Sequence, residues 1–212
     1  MLRTPAPFIS ALDLMNQKPT RVSGHYVQGS FGLLPLTGER ARAALHFAAL
    51  VGSTSFSNNL ELARWYLRAS LSEFRSIFDL LNSDLKDLNL TAQWKSSENR
   101  SYLEADPIVA ILRKIRDFAV HSALVQGQPA HFKVSSADDT GTTSDMPSIV
   151  IDQLDPKNTG MHRELLRFRD NEIAEFNLLA RQWPADLLIH IAIYRASEPI
   201  AGFLKSAQRH EV

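Results

Sequence analysis

The stretch SNNLELARWYLRASLSEFRSIFDLLNSDLKDL, residues Ser57 to Leu88, decides the architecture. In it Leu60, Ala63, Leu67, Leu71, Phe74, Phe78, Leu81, Leu85 and Leu88 recur at steps of three and four residues, the spacing of one face of an α-helix. The opposite face carries Arg64, Arg68, Glu73, Arg75 and Asp79. The reading is one long amphipathic helix, which Asn82–Asp84 could bend without ending the pattern. An apolar stripe of that length needs partner helices.

Upstream, ERARAALHFAALV from Glu39 to Val51 is rich in Ala and Leu with Gly52 behind it, which reads as a helix with a glycine stop. Residues 1–37 hold a short helical segment, Phe8 to Gln17, and then KPTRVSGHYVQGSFGLLPLTG. Pro and Gly there are too closely spaced for a long helix or a strand, so an arm or extended segment packing on something else is expected.

Downstream, TAQWKSSENRSYLEA reads as a break, after which Asp106 and Pro107 provide an N-cap and a first-turn proline. Ile108, Ile111, Leu112, Ile115, Phe118 and Ala119 form the apolar face of the helix that follows, with Arg113, Lys114, Arg116 and Asp117 largely off it. Gly127–Pro129 marks the latest point at which that helix can end. HFKVSS and SIVIDQL flank the turn-rich ADDTGTTSDMP and read as a β-hairpin at about residues 130–154. A further helix is expected from about Met161 to Gln182, broken by Trp183 and Pro184. A last helix follows, which Pro199 should kink or restart. The expected fold is mainly α: a bundle of four to five helices with one inserted β-hairpin, residues 38–212 forming the domain and 1–37 its N-terminal arm.

The 212 residues are 44% hydrophobic and 22% charged, which excludes disorder as the main state. Lys and Arg number 23 against 23 Asp and Glu, so no global field draws the chain to nucleic acid or an anionic membrane. The absence of Cys removes disulfides, thiolate metal sites and thiol nucleophiles. The most apolar window, ADLLIHIAIYRA, is too short for a span and contains His190 and Arg195. With no signal-peptide pattern in MLRTPAPFIS, a cytoplasmic protein with no membrane partner is expected.

Phosphate-cradling glycine loops, zinc-protease and nucleophile-elbow motifs, and metal-spaced clusters of His with acids are all missing from the sequence, so no metal and no cofactor is expected. His190 in LLIHIAIY and His46 in the Ala-rich helix read first as core side chains. The informative stretch is ILRKIRDFAVHS, in which Arg116 is followed by Asp117 and, after three more residues, by His121. RNA cleavage through the 2′-OH needs a group that titrates near neutral pH and a cation for the charge developing on phosphorus. His121 suits the first role and Arg116 the second, because imidazole titrates near pH 6.5 while guanidinium stays charged and can hold two phosphate oxygens. Five residues of helix separate the two by about 140°. Either the Arg side chain wraps round the helix or the last turn is distorted.

An R-polar-x-x-x-H motif at the end of an amphipathic helix in an all-helical chain resembles the HEPN superfamily, most closely over Ser57 to Ser122. The resemblance implies a bundle of four or five helices, metal-independent endoribonuclease activity of the toxin–antitoxin and defence type, and RNA as substrate. It also implies a homodimer whose two motifs face each other across a two-fold axis, with an antitoxin or regulatory protein as a further partner. Asp117 and Ser122 are supporting candidates, the first orienting Arg116 or His121, the second capping the helix or contacting phosphate. The inserted hairpin lies outside the minimal family bundle.

The same residues have a purely structural reading. Cations in a last helical turn interact well with the C-terminal dipole, and Asp117 could pair with Arg113 or Lys114 at the surface. A second match in looser form, Arg40 with His46, lacks the polar residue after Arg. Arg163, Arg167, Arg169 and Arg181 are interleaved with Glu164, Asp170, Glu172 and Glu175 and read as a solvated helix face. The alternative function is a non-catalytic RNA- or nucleotide-binding or protein-interaction module. In it Tyr26, Phe31, Leu33 and Leu34 of the arm, taken as exposed, would matter more than the motif.

Overall fold

The computed structural model describes residues 24–56, 59–121, 128–135, 143–151 and 170–209. Eight helices and one hairpin lie among them: α1 (Gly24–Phe31), α2 (Pro35–Phe56), α3 (Leu60–Asp87), α4 (Thr91–Lys95), α5 (Glu98–Ala105), α6 (Pro107–His121), β1 (Gln128–Ser135), β2 (Thr143–Val150), α7 (Asp170–Gln182) and α8 (Ala185–Arg209). This is the expected helical bundle with a β-hairpin. α2 and α3 form an antiparallel pair, and α8 runs against α1, α2, α3, α5, α6 and α7, so it is the central element of the core.

The 28-residue α3 carries out the long amphipathic reading. Ala63, Leu67, Leu71, Phe74, Ile77, Phe78, Leu81 and Leu85 are buried along one stripe. Asn59 caps its start, accepting from the Leu62 amide at 3.2 Å. Its end is set by Asn89, which adopts φ 58°, and by the Leu90 amide donating to the Leu85 carbonyl at 2.8 Å. That geometry is a helix stop in which Asn substitutes for the usual glycine. It leaves Leu88 exposed rather than in the core.

Several expectations are corrected by packing. Gly52 does not stop α2, which continues through it to Phe56 because Val51 and Ser55 are buried on the face turned to the core. Residues 24–31 are helical rather than extended, since Val27 and Phe31, one turn apart, are buried at 0% and 2% exposure. Phe31 and Leu34 are core residues, so of Phe31, Leu33 and Leu34 only Leu33 is exposed. The break after Leu90 contains two short helices, α4 and α5, held by Trp94 in edge contact with Phe203 and by buried Leu103. Of the kink or restart expected at Pro199, the restart does not occur, since α8 is continuous around it.

The hairpin pairs β1 with β2 antiparallel, from Gln128 opposite Val150 to Ser135 opposite Thr143. β2 therefore begins inside what reads as a turn-rich loop and takes Pro147 into the ladder opposite His131. A two-stranded sheet has only edge strands, where a missing amide is tolerated. Ile149 and Ile151 anchor the hairpin, being buried where β2 meets α2, α3 and α8. The expected helical segments Phe8–Gln17 and Met161–Arg169 lie outside the described residues. Among the described helices α8 alone has the length and apolarity of a membrane span, but 61% of that stretch is buried inside the bundle, as a core helix would be.

Candidate functional site

The helix that carries the motif, α6, is held at both its start and its middle. The Asp106 carboxylate caps it: Oδ1 accepts from the Ile108 and Val109 amides, each at 3.0 Å. Oδ2 accepts from Arg195 Nη1 of α8, also at 3.0 Å, across 89 residues of sequence. Both partners of this ion pair are largely buried, with side-chain exposures of 9% for Arg195 and 12% for Asp106. Ile108, Val109, Ile111, Leu112 and Ile115 then bury one face of α6 against α3, α7 and α8. On the flank, the Arg113 guanidinium lies 4.2 Å from the centre of the Phe78 ring of α3. A partly exposed cation–π contact of this kind stabilises by about 0.5–2 kcal/mol.

Arg116, Asp117 and His121 are the closing residues of this anchored helix, and His121 is its last residue. The expectation that the motif ends an amphipathic helix is therefore met by the backbone. At 1.5 Å per residue, Arg116 and His121 are about 7.5 Å apart along the axis and about 140° apart around it. Their side chains and that of Asp117, and the whole of Ser122, lie outside the described residues.

The other candidates are better defined. Arg40 of the looser motif is committed elsewhere: it donates to Glu73 at 3.1 Å and to Glu39 at 3.2 Å. The hydrogen bond and charge of Glu73 raise its pKa further above the ordinary arginine range. His46 is exposed and meets the edge of Phe47 at 5.7 Å, contrary to its reading as a core side chain. His190 is a core residue, 7% exposed within α8. Arg181 is exposed on α7, while Arg163, Arg167 and Arg169 lie outside the described residues. No group of three or more His, Asp or Glu is placed to hold a metal among the described residues.

No protein-family model, no curated protein and no solved structure matches this chain. The sequence reading missed the tie that positions the motif helix. Asp106 is legible as a cap, but its second oxygen finds Arg195 only through the crossing of α6 and α8. A buried Arg in an otherwise apolar run, LLIHIAIYRA, was the available signal, since a buried guanidinium requires an acidic partner.

Proposed function

We propose that this protein is a metal-independent endoribonuclease of the HEPN type, acting on RNA through attack of the 2′-OH on the adjacent phosphate. The observation that carries the reading is the placement of Arg116, Asp117 and His121 at the C-terminal end of α6, a helix whose start is tied by Asp106 to Arg195. In this proposal His121 moves the proton of the 2′-OH or of the leaving 5′-oxygen. Arg116 binds the non-bridging phosphate oxygens as negative charge develops on them. Asp117 and Ser122 act as supporting residues. A homodimer brings two motifs together across a two-fold axis, which suits a pair lying about 140° apart on each helix. No metal or other cofactor takes part, and an antitoxin-like or regulatory protein is proposed as a further partner.

The test is cleavage of mixed total RNA in EDTA, comparing the wild type with Arg116→Ala/His121→Ala at matched folding and oligomeric state. Cuts that leave cyclic phosphate ends and vanish in the double variant support the proposal. Intact RNA with both proteins across about pH 5.5–8.5, the range in which imidazole titrates, ends it in favour of a non-catalytic module.

A further inference from the structure

The α2–α3 pair carries a second feature that the motif does not use. Its register is set where Ser70 Oγ donates to the Ala44 carbonyl at 2.7 Å, which brings residues 42–47 of α2 beside 66–71 of α3. There the rings form a ladder across the two helices. His46 meets Phe47 at 5.7 Å and 60°, and Phe47 stacks on Tyr66 at 6.2 Å and 24°. Next to Tyr66 in sequence, Trp65 is 64% exposed, the most exposed large apolar side chain described. The two other tryptophans, Trp94 and Trp183, are buried.

Charge accompanies the rings. Arg42 lies one turn from His46 and Arg68 one turn from Trp65, both exposed and in no ion pair among the described residues. Between residues 39 and 73 the chain has four arginines, Arg40, Arg42, Arg64 and Arg68, and three acids, Glu39, Glu61 and Glu73; Glu39 and Glu73 are taken up by Arg40, so the exposed cations beside the rings are Arg42 and Arg68.

We infer that the strip formed by Arg42, His46, Phe47, Trp65, Tyr66 and Arg68 is a platform for single-stranded RNA, on which bases stack and whose arginines meet phosphates. Unpaired bases stack on aromatic faces regardless of their identity, while flanking cations hold the backbone. A second copy of the chain fits less well. Two-fold packing centred on Trp65 would set the same arginines against themselves, and like charges at an interface disfavour association. The choice of RNA over DNA rests on the proposed ribonuclease activity; the stacking surface itself does not.

The test uses the full chain carrying Arg116→Ala/His121→Ala, so that the probe stays intact. A short fluorescein-labelled single-stranded RNA of mixed sequence is titrated by anisotropy and by quenching of intrinsic tryptophan emission. Adding Trp65→Ala is expected to weaken binding about 5- to 150-fold, the effect of losing one stacked base, and to abolish the quenching. Adding Arg42→Ala/Arg68→Ala is expected to reduce the slope of log affinity against log salt by about 1.4, two phosphate contacts' worth for a single strand. Absence of binding, or binding unchanged by Trp65→Ala, overturns the platform. So does conversion of a dimer to monomers by Trp65→Ala in light scattering, which would identify a self-association surface. Equal affinity for single-stranded DNA overturns the assignment to RNA. Cleavage by the wild-type motif in EDTA is read separately. A cleaving enzyme that ignores Trp65→Ala refutes the platform alone, and a binding protein that never cleaves refutes the ribonuclease alone.

Discussion

Removing the Asp106 carboxylate separates two roles that it combines in the structure. One oxygen satisfies two amides of the first turn of α6, and the other neutralises Arg195 in a largely buried setting. Loss of an Asp N-cap costs about 0.5–2 kcal/mol, and leaving one member of a buried ion pair without its partner costs about 3–5 kcal/mol. The two overlap, because the same deletion causes both, so Asp106→Ala should destabilise by about 3–5 kcal/mol. A protein of this size loses about 2–4 °C in Tm per kcal/mol, which makes the expected drop about 6–20 °C. Asp106→Asn keeps the cap, since Asn caps as well as Asp, and should recover about 1 kcal/mol of the loss. Replacing Arg195 by Met in the Asp106→Asn background removes the buried charge that has lost this carboxylate and should recover more. Urea unfolding of the wild type, Asp106→Asn, Arg195→Met and the double variant measures the cycle, with Asp106→Ala alongside. A loss below about 1 kcal/mol for Asp106→Ala, or additive effects of the two substitutions, would refute the claim that this pair holds α6 to α8.

Other substitutions read other parts of the structure. Asp84→Ala removes a buried carboxylate that accepts from the Thr37 amide at 2.8 Å and the Thr37 hydroxyl at 2.6 Å, tying α3 to the first turn of α2. Each donor left unpaired costs about 1–3 kcal/mol, and denaturant titration should show the loss. Ile115→Ala, in the fully buried face of α6, should cost about 2–5 kcal/mol by the same measurement. Gly29→Ala should instead stabilise by about 0.5–1 kcal/mol, because a Cβ there meets nothing within 4 Å and Ala is the better helix former. Partial burial, and secondarily the nearby Glu198 charge, raise the Tyr194 pKa above its ordinary value. A raised pKa keeps the phenol protonated in the folded state after it ionises in the unfolded one. The associated stability is intact below about pH 10, the ordinary tyrosine value, and is lost as pH rises through the folded pKa. Tyr194→Phe should therefore flatten the alkaline limb of a Tm-against-pH curve relative to the wild type.

Local rules made the long helices legible. The three- and four-residue spacing from Leu60 to Leu85 is a property of one helix, and Asp106 with Pro107 announces the start of α6 through backbone chemistry that needs no distant partner. Trp183 and Pro184 mark the boundary between α7 and α8 for the same reason. The position of the Arg116–His121 motif at the end of a helix was accordingly readable from the chain alone. Its proposed chemistry rests on the side chains and on a family resemblance.

Where tertiary contacts outweigh local preference, the sequence alone misleads. Gly52 has a weak helix propensity, worth about 1 kcal/mol against Ala, yet α2 runs through it because its neighbours Val51 and Ser55 are held in the core. Gly24–Phe31 and Thr91–Lys95 are too short to be stable helices by themselves, and buried Val27, Phe31 and Trp94 hold them in place. The partners Asp84 with Thr37, Asp106 with Arg195 and Phe47 with Tyr66 lie 47, 89 and 19 residues apart. Periodicity tells which face of a helix is apolar, whereas the residue met by a polar group on that face depends on how the helices cross. That crossing is set by the packing of the whole core.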